Sequence, residues 1–291
     1  MQQSFDFHVH SWYSYDAHLS PEQIFDRAEE AGLTAIAIAD HHNMDGFAAF
    51  EAAADAHPAV AWVPAMEVSA HTTWGEFDFV ALGVPPDAPW RLADVIDRYR
   101  DWMRELNRRL LAGFEALDVP FGEAEKQQML STWRPGPAGK FQGEVRLPNR
   151  GLMPWLIERG YLADEQGYGA FFRRVLDGVG GYPPVPPATE VLPRFAEVGA
   201  TLILAHPGGF LQRHGAAEFA RLVWQAGVHG IESGHKSHTP EQNAAYAEFA
   251  GRHDLLVSGG SDVHFVRELS SLGDHGCTAT AAAGLLTRLG L

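Results

Sequence analysis

Residues Phe5–Asp40, FDFHVHSWYSYDAHLSPEQIFDRAEEAGLTAIAIAD, decide the fold. FDFHV (Phe5–Val9) is rich in β-formers and reads as a strand. Ser20-Pro21-Glu22 then opens a helix that Gly32 stops, with the cap residue, first-turn proline and terminal glycine in their favoured places. TAIAIAD (Thr34–Asp40) follows as a buried strand, completing one strand–helix–strand unit. Outward from there the pattern continues with a helix over Gly46–His57 and strands over Val60–Val68 and Phe77–Gly83. Such alternation predicts parallel β/α packing of barrel type rather than an all-helical or sandwich fold.

The pattern changes after residue 90. Leu92, Val95, Ile96, Tyr99, Met103, Leu106 and Leu110 recur at helical spacing, which predicts one long helix over Arg91–Leu117. Further helices are expected near 123–131, 151–160 and 167–178, separated by the turn-rich RPGPAGK (Arg134–Lys140) and YPPVPP (Tyr182–Pro187). Strands return at Thr201–Ala205, Gly230–Glu232 and Leu255–Ser258, and a helix near Thr278–Leu289 ends the chain. The expected organisation is therefore a barrel formed by 1–90 with 196–291, carrying a helical insertion subdomain over 91–195.

Composition narrows the function. The 291 residues are 46% hydrophobic, enough for a large core, with 22 basic against 37 acidic residues and a formal net charge of −15. Residues 91–195 hold 15 basic and 14 acidic residues, so the excess negative charge sits on the rest. That balance disfavours an extended nucleic-acid partner and leaves most of the arginines in the helical segment, Arg98, Arg100, Arg104, Arg108 and Arg109 reading as a solvated helix face. No apolar run approaches the roughly 18 residues of a membrane span, and MQQSFDF lacks the features of an export signal, so a cytoplasmic location is expected. The single cysteine, Cys277, makes any metal site depend on the fifteen histidines and the carboxylates.

His8 and His10, two apart on a strand, project to one face, where two imidazoles can hold one ion. Similar residues recur at other strand ends: Asp40-His41, Glu67, His206, and Asp262 with His264. In a β/α barrel those ends meet at one mouth. So many imidazoles and carboxylates need cations to satisfy them, since an unpaired buried carboxylate costs several kcal/mol or protonates.

These stretches, HVHSWYSYD (His8–Asp16), IADHH (Ile38–His42), AMEVSA (Ala65–Ala70), LAHPGG (Leu204–Gly209) and SGGSDVH (Ser258–His264), resemble the ordered motifs of the PHP (polymerase and histidinol phosphatase) family of metal-dependent phosphoesterases. The resemblance implies a distorted (β/α)7 TIM-like barrel with two or three divalent ions at its mouth. It implies one ion on His8, His10, Glu67 and Asp262, another on Asp16, His41 and His264, and Glu67 bridging to a third near His206. The family's third motif adds a histidine shortly after the glutamate; GEFDFVALG (Gly75–Gly83) has none, and Asp78 is the substitute, ahead of Glu76 and His71. Met153–Pro187 resembles the branch acting on nucleoside 3′,5′-bisphosphates and on short oligonucleotides from the 5′ end. That branch carries an Arg-x-His where this chain has Asn149 and Gly151, so Arg146 and Arg150 are the candidate phosphate contacts. GIESGHKSHTPEQ (Gly230–Gln242) adds His235, Lys236 and His238 as candidate substrate contacts.

No GxSxG elbow or phosphate-binding glycine loop is present, so a covalent or nucleotide-triphosphate mechanism has no candidate residues, and the resemblance implies metal-assisted hydrolysis of a phosphate ester. Imidazole and carboxylate ligands suit Mn²⁺, Fe²⁺ or Zn²⁺, and His206 and His264 are the candidates for protonating the leaving group. Competing readings are a phosphomonoesterase of histidinol-phosphatase type, an amide-cleaving metal hydrolase, and a non-catalytic metal-binding regulatory module.

Overall fold

The computed structural model describes residues 4–133, 147–274 and 278–291. Seven strands form one sheet in chain order: β1 (Phe5–Val9), β2 (Ala35–Ile38), β3 (Ala61–Thr72), β4 (Gly75–Leu82), β5 (Thr201–Leu204), β6 (Gly230–His235) and β7 (Leu256–Gly260). The sheet curls until its edges meet. A parallel bridge joins Val9 to Val263, the His10 N–H donates to Val263 O at 3.0 Å, and the Asp262 N–H donates to His8 O at 2.7 Å. Gly260 allows that approach, because a Cβ there would lie 2.2 Å from His8 Cβ.

The expectation of parallel packing fails at one place. β4 runs antiparallel to both β3 and β5. Only Thr73 and Trp74 separate β3 from β4, whereas a parallel return needs a crossover of about a dozen residues, so a hairpin is forced. β3 also runs on to Thr72 and β4 starts at Gly75, lengthening both beyond the strands expected at Val60–Val68 and Phe77–Gly83.

The helices between strands are α1 (Pro21–Glu30) and α2 (Phe47–Ala56). α1 has the expected start: Ser20 accepts from the Gln23 N–H, Gln23 reciprocates, and Pro21 takes the first turn. Ala35, Ala37 and Ala39 point into the barrel with Phe5, Phe7, Val63, Val80 and Leu82, while Ile36 and Ile38 face Ile24, Phe25 and Phe50 of α1 and α2. A strand buried on both faces explains the unbroken apolar run of TAIAIA.

Among the described residues between β4 and β5 lie α3 (Ala88–Arg91), α4 (Ala93–Ala116), α5 (Glu123–Trp133), α6 (Asn149–Glu158), α7 (Tyr168–Asp177) and α8 (Ala188–Glu197). α4 buries Val95, Ile96, Tyr99, Met103, Leu106 and Leu110, and these share one apolar cluster with Val68, Ala70, Phe79 and Ala81 on the outer face of the β3–β4 hairpin. Tyr99 OH donates to Ser69 O at 2.8 Å, and Trp102 Nε1 donates to Pro183 O at 2.8 Å. The arginines of α4 pair with acids, Arg98 with Glu190, Arg104 with Asp101, and both Arg108 and Arg109 with Glu105. α9 (Phe210–Ala226), α10 (Pro240–Arg252) and α11 (Ala283–Leu289) complete the outer layer. Among the described residues no helix is long and apolar enough to cross a membrane. Arg146 and Cys277 lie outside the described residues.

Candidate metal centre

Two bulges aim the site. Between the pairs Asp6–Ile36 and Val9–Ile38, β1 holds one residue more than β2. Phe5 and Phe7 face the barrel interior, whereas Val9 joins Ile36 and Ile38 in the outer cluster. The extra residue reverses the alternation after Phe7, so His8 and His10 also turn inward. β6 repeats the device: Glu232 pairs with Ser258 and Gly234 with Gly259, which brings Glu232 and His235 to the same side.

Glu67, buried at the mouth end of β3, is the hub. Its Oε2 lies 3.1 Å from His8 Nε2, 3.2 Å from His10 Nε2 and 3.4 Å from His41 Nδ1. Its Oε1 lies 3.0 Å from His206 Nε2. Asp262 Oδ1 is 3.1 Å from His10 Nε2 and 3.5 Å from His264 Nδ1, and its Oδ2 is 3.4 Å from His235 Nε2. Asp16 Oδ2 closes the far side, 3.4 Å from His41 Nε2 and 3.5 Å from His264 Nε2.

Three overlapping groups have ligand atoms within 4.8 Å of one another: His10, Asp16, His41 and His264; His8, Glu67 and His206; and His8, His235 and Asp262. Donors on one ion with bonds of about 2.1 Å sit about 3.0–3.4 Å apart, and the hub distances match that spacing. The nitrogens of His8 and His10 face each other at 3.1 Å, and the buried His235 Nε2 has no hydrogen-bond partner. The residues present therefore fit divalent ions.

The charges are arranged to the same end. Burial opposes ionisation throughout, but His8 and His41 around Glu67, His41 and His264 around Asp16, and His10 and His235 around Asp262 hold those carboxyls well below the usual range. Burial also opposes charge on His41 and His206, yet Glu67 and Asp16 bring His41 up to about 10 and the Glu67 hydrogen bond brings His206 up to about 9. Asp78 behaves differently, since burial and the nearby Glu67 charge raise its pKa.

The expected ligands His8, His10, Asp16, His41, Glu67, His206, Asp262 and His264 are thus brought together. Asp78 sits at their edge, its Oδ2 3.9 Å from His206 Nε2. Glu76 and His71 pair with each other near the exposed hairpin tip, farther along the strands than Asp78. Because β4 descends from the mouth, Asp78 reaches the site from the start of its strand rather than the end. His235, expected beside a substrate, lies among the ligand groups. Lys236 Nζ is 3.2 Å from Asp262 Oδ2 and also donates to Asp262 O. His238 is tied into the scaffold: the Gly208 N–H donates to its Nε2 at 3.1 Å, and its Nδ1 meets Ser233 O at 3.2 Å. Arg150 lies in the first turn of α6, and its side chain lies outside the described residues.

Three features were not singled out from sequence. Glu232 is buried between His8 and His206. Tyr15 stacks on His41 at 4.9 Å, and Tyr99 stacks on the buried His42 at 4.4 Å. His42, His206 and Asp262 are three of the five described non-glycine residues with positive φ, a concentration of backbone strain at one site. The strand-end rule that found Glu67 also applies to Glu232, at the end of GIE.

Among known proteins, the PHP-domain family profile matches residues 6–112, which include His8, His10, Asp16, His41, Glu67 and Asp78. The chain is 29% identical over 272 residues to a 3′,5′-nucleoside bisphosphate phosphatase of Chromobacterium violaceum, covering 89% of this chain and 86% of that one. It is also 29% identical over 275 residues to a phosphoribosyl 1,2-cyclic phosphate 1,2-diphosphodiesterase of Eggerthella lenta, covering 89% and 93%. A solved structure from Bifidobacterium adolescentis, 22% identical, superposes with a TM-score of 0.76 over 98% of this chain and 96% of the other, a likeness of fold. The matched segment carries most of the hub, and the barrel is shared in fold end to end, so the metal-centre half of the chain is similar to PHP domains.

Proposed function

We propose that the protein is a metal-dependent phosphoesterase acting on small nucleotide esters, as a nucleoside 3′,5′-bisphosphate phosphatase or a nuclease trimming short oligonucleotides from the 5′ end. The observation that carries this reading is the position of Glu67, one carboxylate within 3.4 Å of His8, His10, His41 and His206. A hub of that kind serves ions that share a ligand. The named activities of the two relatives, both on phosphate esters, supply the substrate class.

His8, His10, Glu67 and Asp262 would hold one ion, Asp16, His41 and His264 a second, and Glu67 with His206 and Asp78 a third. Bound divalent ions supply a water of lowered pKa and neutralise the phosphoryl oxygens. Around them the protein positions and excludes. The side chains of His8, His10 and Glu67 are at most 1% exposed, so they form a dry floor. Lys236, Asp78 and His206 keep 35%, 28% and 25% of their side chains exposed, so they form the rim that a substrate meets. Lys236 offers its ammonium to a phosphoryl oxygen beside Asp262. With no third ion bound, His206 holds the proton for the leaving oxygen on Nε2, beside Glu67; His264, less exposed and engaged at both nitrogens, is the weaker donor. Arg146 and Arg150 remain the candidates for a second phosphate.

The decisive experiment loads the full chain with Mn²⁺ and measures phosphate release from a 3′,5′-bisphosphonucleoside, a dinucleotide, a cyclic ribose phosphate, histidinol phosphate and an amide substrate. Turnover of either nucleotide monoester or dinucleotide supports the reading. Stoichiometric ion binding with no turnover on any phosphate ester sinks it in favour of a regulatory module.

A further inference from the structure

β6 contributes a carboxylate that none of the three ligand groups contains. Glu232 is 2% exposed, and its two oxygens go to two different strands' contributions. Oε1 lies 3.1 Å from His8 Nδ1, and Oε2 accepts the His206 N–H at 2.7 Å. His8 belongs to two of the ligand groups and His206 to one of those two. His206 also holds a positive φ of 23°, a conformation that a non-glycine residue keeps only when its surroundings enforce it.

We propose that Glu232 is a positioning residue for the metal centre, acting through His8 and His206. A carboxylate can only accept, so it requires a proton on His8 Nδ1 and leaves the Nε2 lone pair free on the side of Glu67 and His10. The same carboxylate anchors the strained backbone turn that delivers the His206 ring to Glu67. Glu232 lies in the regular part of β6, and the bulge after it turns His235 to the same side, so one short strand presents both. The inference rests on the reading that the mouth holds divalent ions, and it adds the residue that orients two of their ligands.

Glu232→Gln separates charge and proton direction from shape. An amide has one accepting oxygen and one donating nitrogen. If the oxygen serves the His206 N–H, the amide NH₂ faces His8 Nδ1 and drives the proton onto Nε2, where the ion should bind. If the amide is turned round, the NH₂ opposes the His206 N–H. Either arrangement fails one ligand.

The test titrates chelator-treated full-length protein with Zn²⁺ by calorimetry and records ¹⁵N-histidine ring spectra of the loaded chain, for the unaltered protein and for Glu232→Gln. We expect the unaltered chain to show one buried ring, lost in His8→Ala, protonated at Nδ1 and ligated through Nε2. In the variant we expect Zn²⁺ affinity at that position to fall about 10–100-fold, with that Nδ1–H resonance gone and the far-ultraviolet spectrum unchanged. Equal affinity in the folded variant overturns the proposal. If the variant does not fold, the unaltered protein decides alone: a His8 ring carrying its proton on Nε2 overturns the proposal, and one carrying it on Nδ1 supports it. A chain that binds no Zn²⁺ at all defeats the proposed function instead, a result distinguishable because the ring spectrum still reports on the Glu232 contact.

Discussion

The floor of the mouth and its rim are built by different means. His8, His10 and Glu67 belong to strands, and their direction is set by sheet geometry: the β1 bulge, the Gly260 seam and the β3 pleat. His206 and Asp262 lie just past strand ends with positive φ, and backbone hydrogen bonds fix their turns, the His206 N–H to Glu232 and the Asp262 N–H to His8 O. The floor therefore resists any change of shape. The rim is more exposed and is held by hydrogen bonds rather than by the pleat.

Glu67→Gln should break the floor most severely. Four imidazoles would converge on an amide, and losing several kcal/mol of metal-centred stabilisation corresponds to a fall of about 10³-fold in phosphate release. Steady-state assays with parallel measurement of bound Mn²⁺ check this, and an active, fully loaded variant would remove Glu67 as the hub. Replacing both His8 and His10 by Ala should likewise lower bound metal and activity together while circular dichroism stays unchanged.

Gly260→Ala strikes the floor through shape alone. The added methyl overlaps His8 and the seam must open, at a cost of about 1–3 kcal/mol seen in chemical denaturation, with weaker metal retention alongside. Unchanged stability would mean that the two edge strands are not tightly joined. Asp78→Asn probes the rim. If Asp78 stands in for the motif's missing histidine, Mn²⁺ binding beside His206 weakens about tenfold, at the low end of what losing a supporting contact does, and the floor ions stay in place. Equal stoichiometry and affinity would take Asp78 out of the ligand set. The smallest effect belongs to Tyr99→Phe, which removes one buried hydrogen bond to Ser69 O and should lower stability by about 1 kcal/mol without changing metal content.

What the chain discloses on reading follows the same division. That the floor and rim residues would gather was legible because each lies next to a strong β-pattern, as in HVH, IADHH and LAHP, and because a barrel collects such positions. The reversed β4 was not, since the strand patterns cover Val60–Val68 and Phe77–Gly83 and nothing in Ser69–Glu76 marks how short the turn between them is. The bulges were not legible either. Simple alternation puts His8 on the face opposite Phe7, and only pairing with β2 reveals the extra residue. Nothing in the sequence sets Glu232 apart from its neighbours His235, Lys236 and His238, whereas its burial makes it the stricter constraint. The role of His238 turned on one hydrogen bond from Gly208, thirty residues away.

The additional residue in the first strand limits how this centre could be moved. Copying the ligands into another eight- or seven-stranded scaffold would fail if the host strand kept regular pleating, because the leading imidazole would then emerge beneath the helices. Any successful graft would have to carry that irregularity, and the matching one in the sixth strand, as part of the active centre.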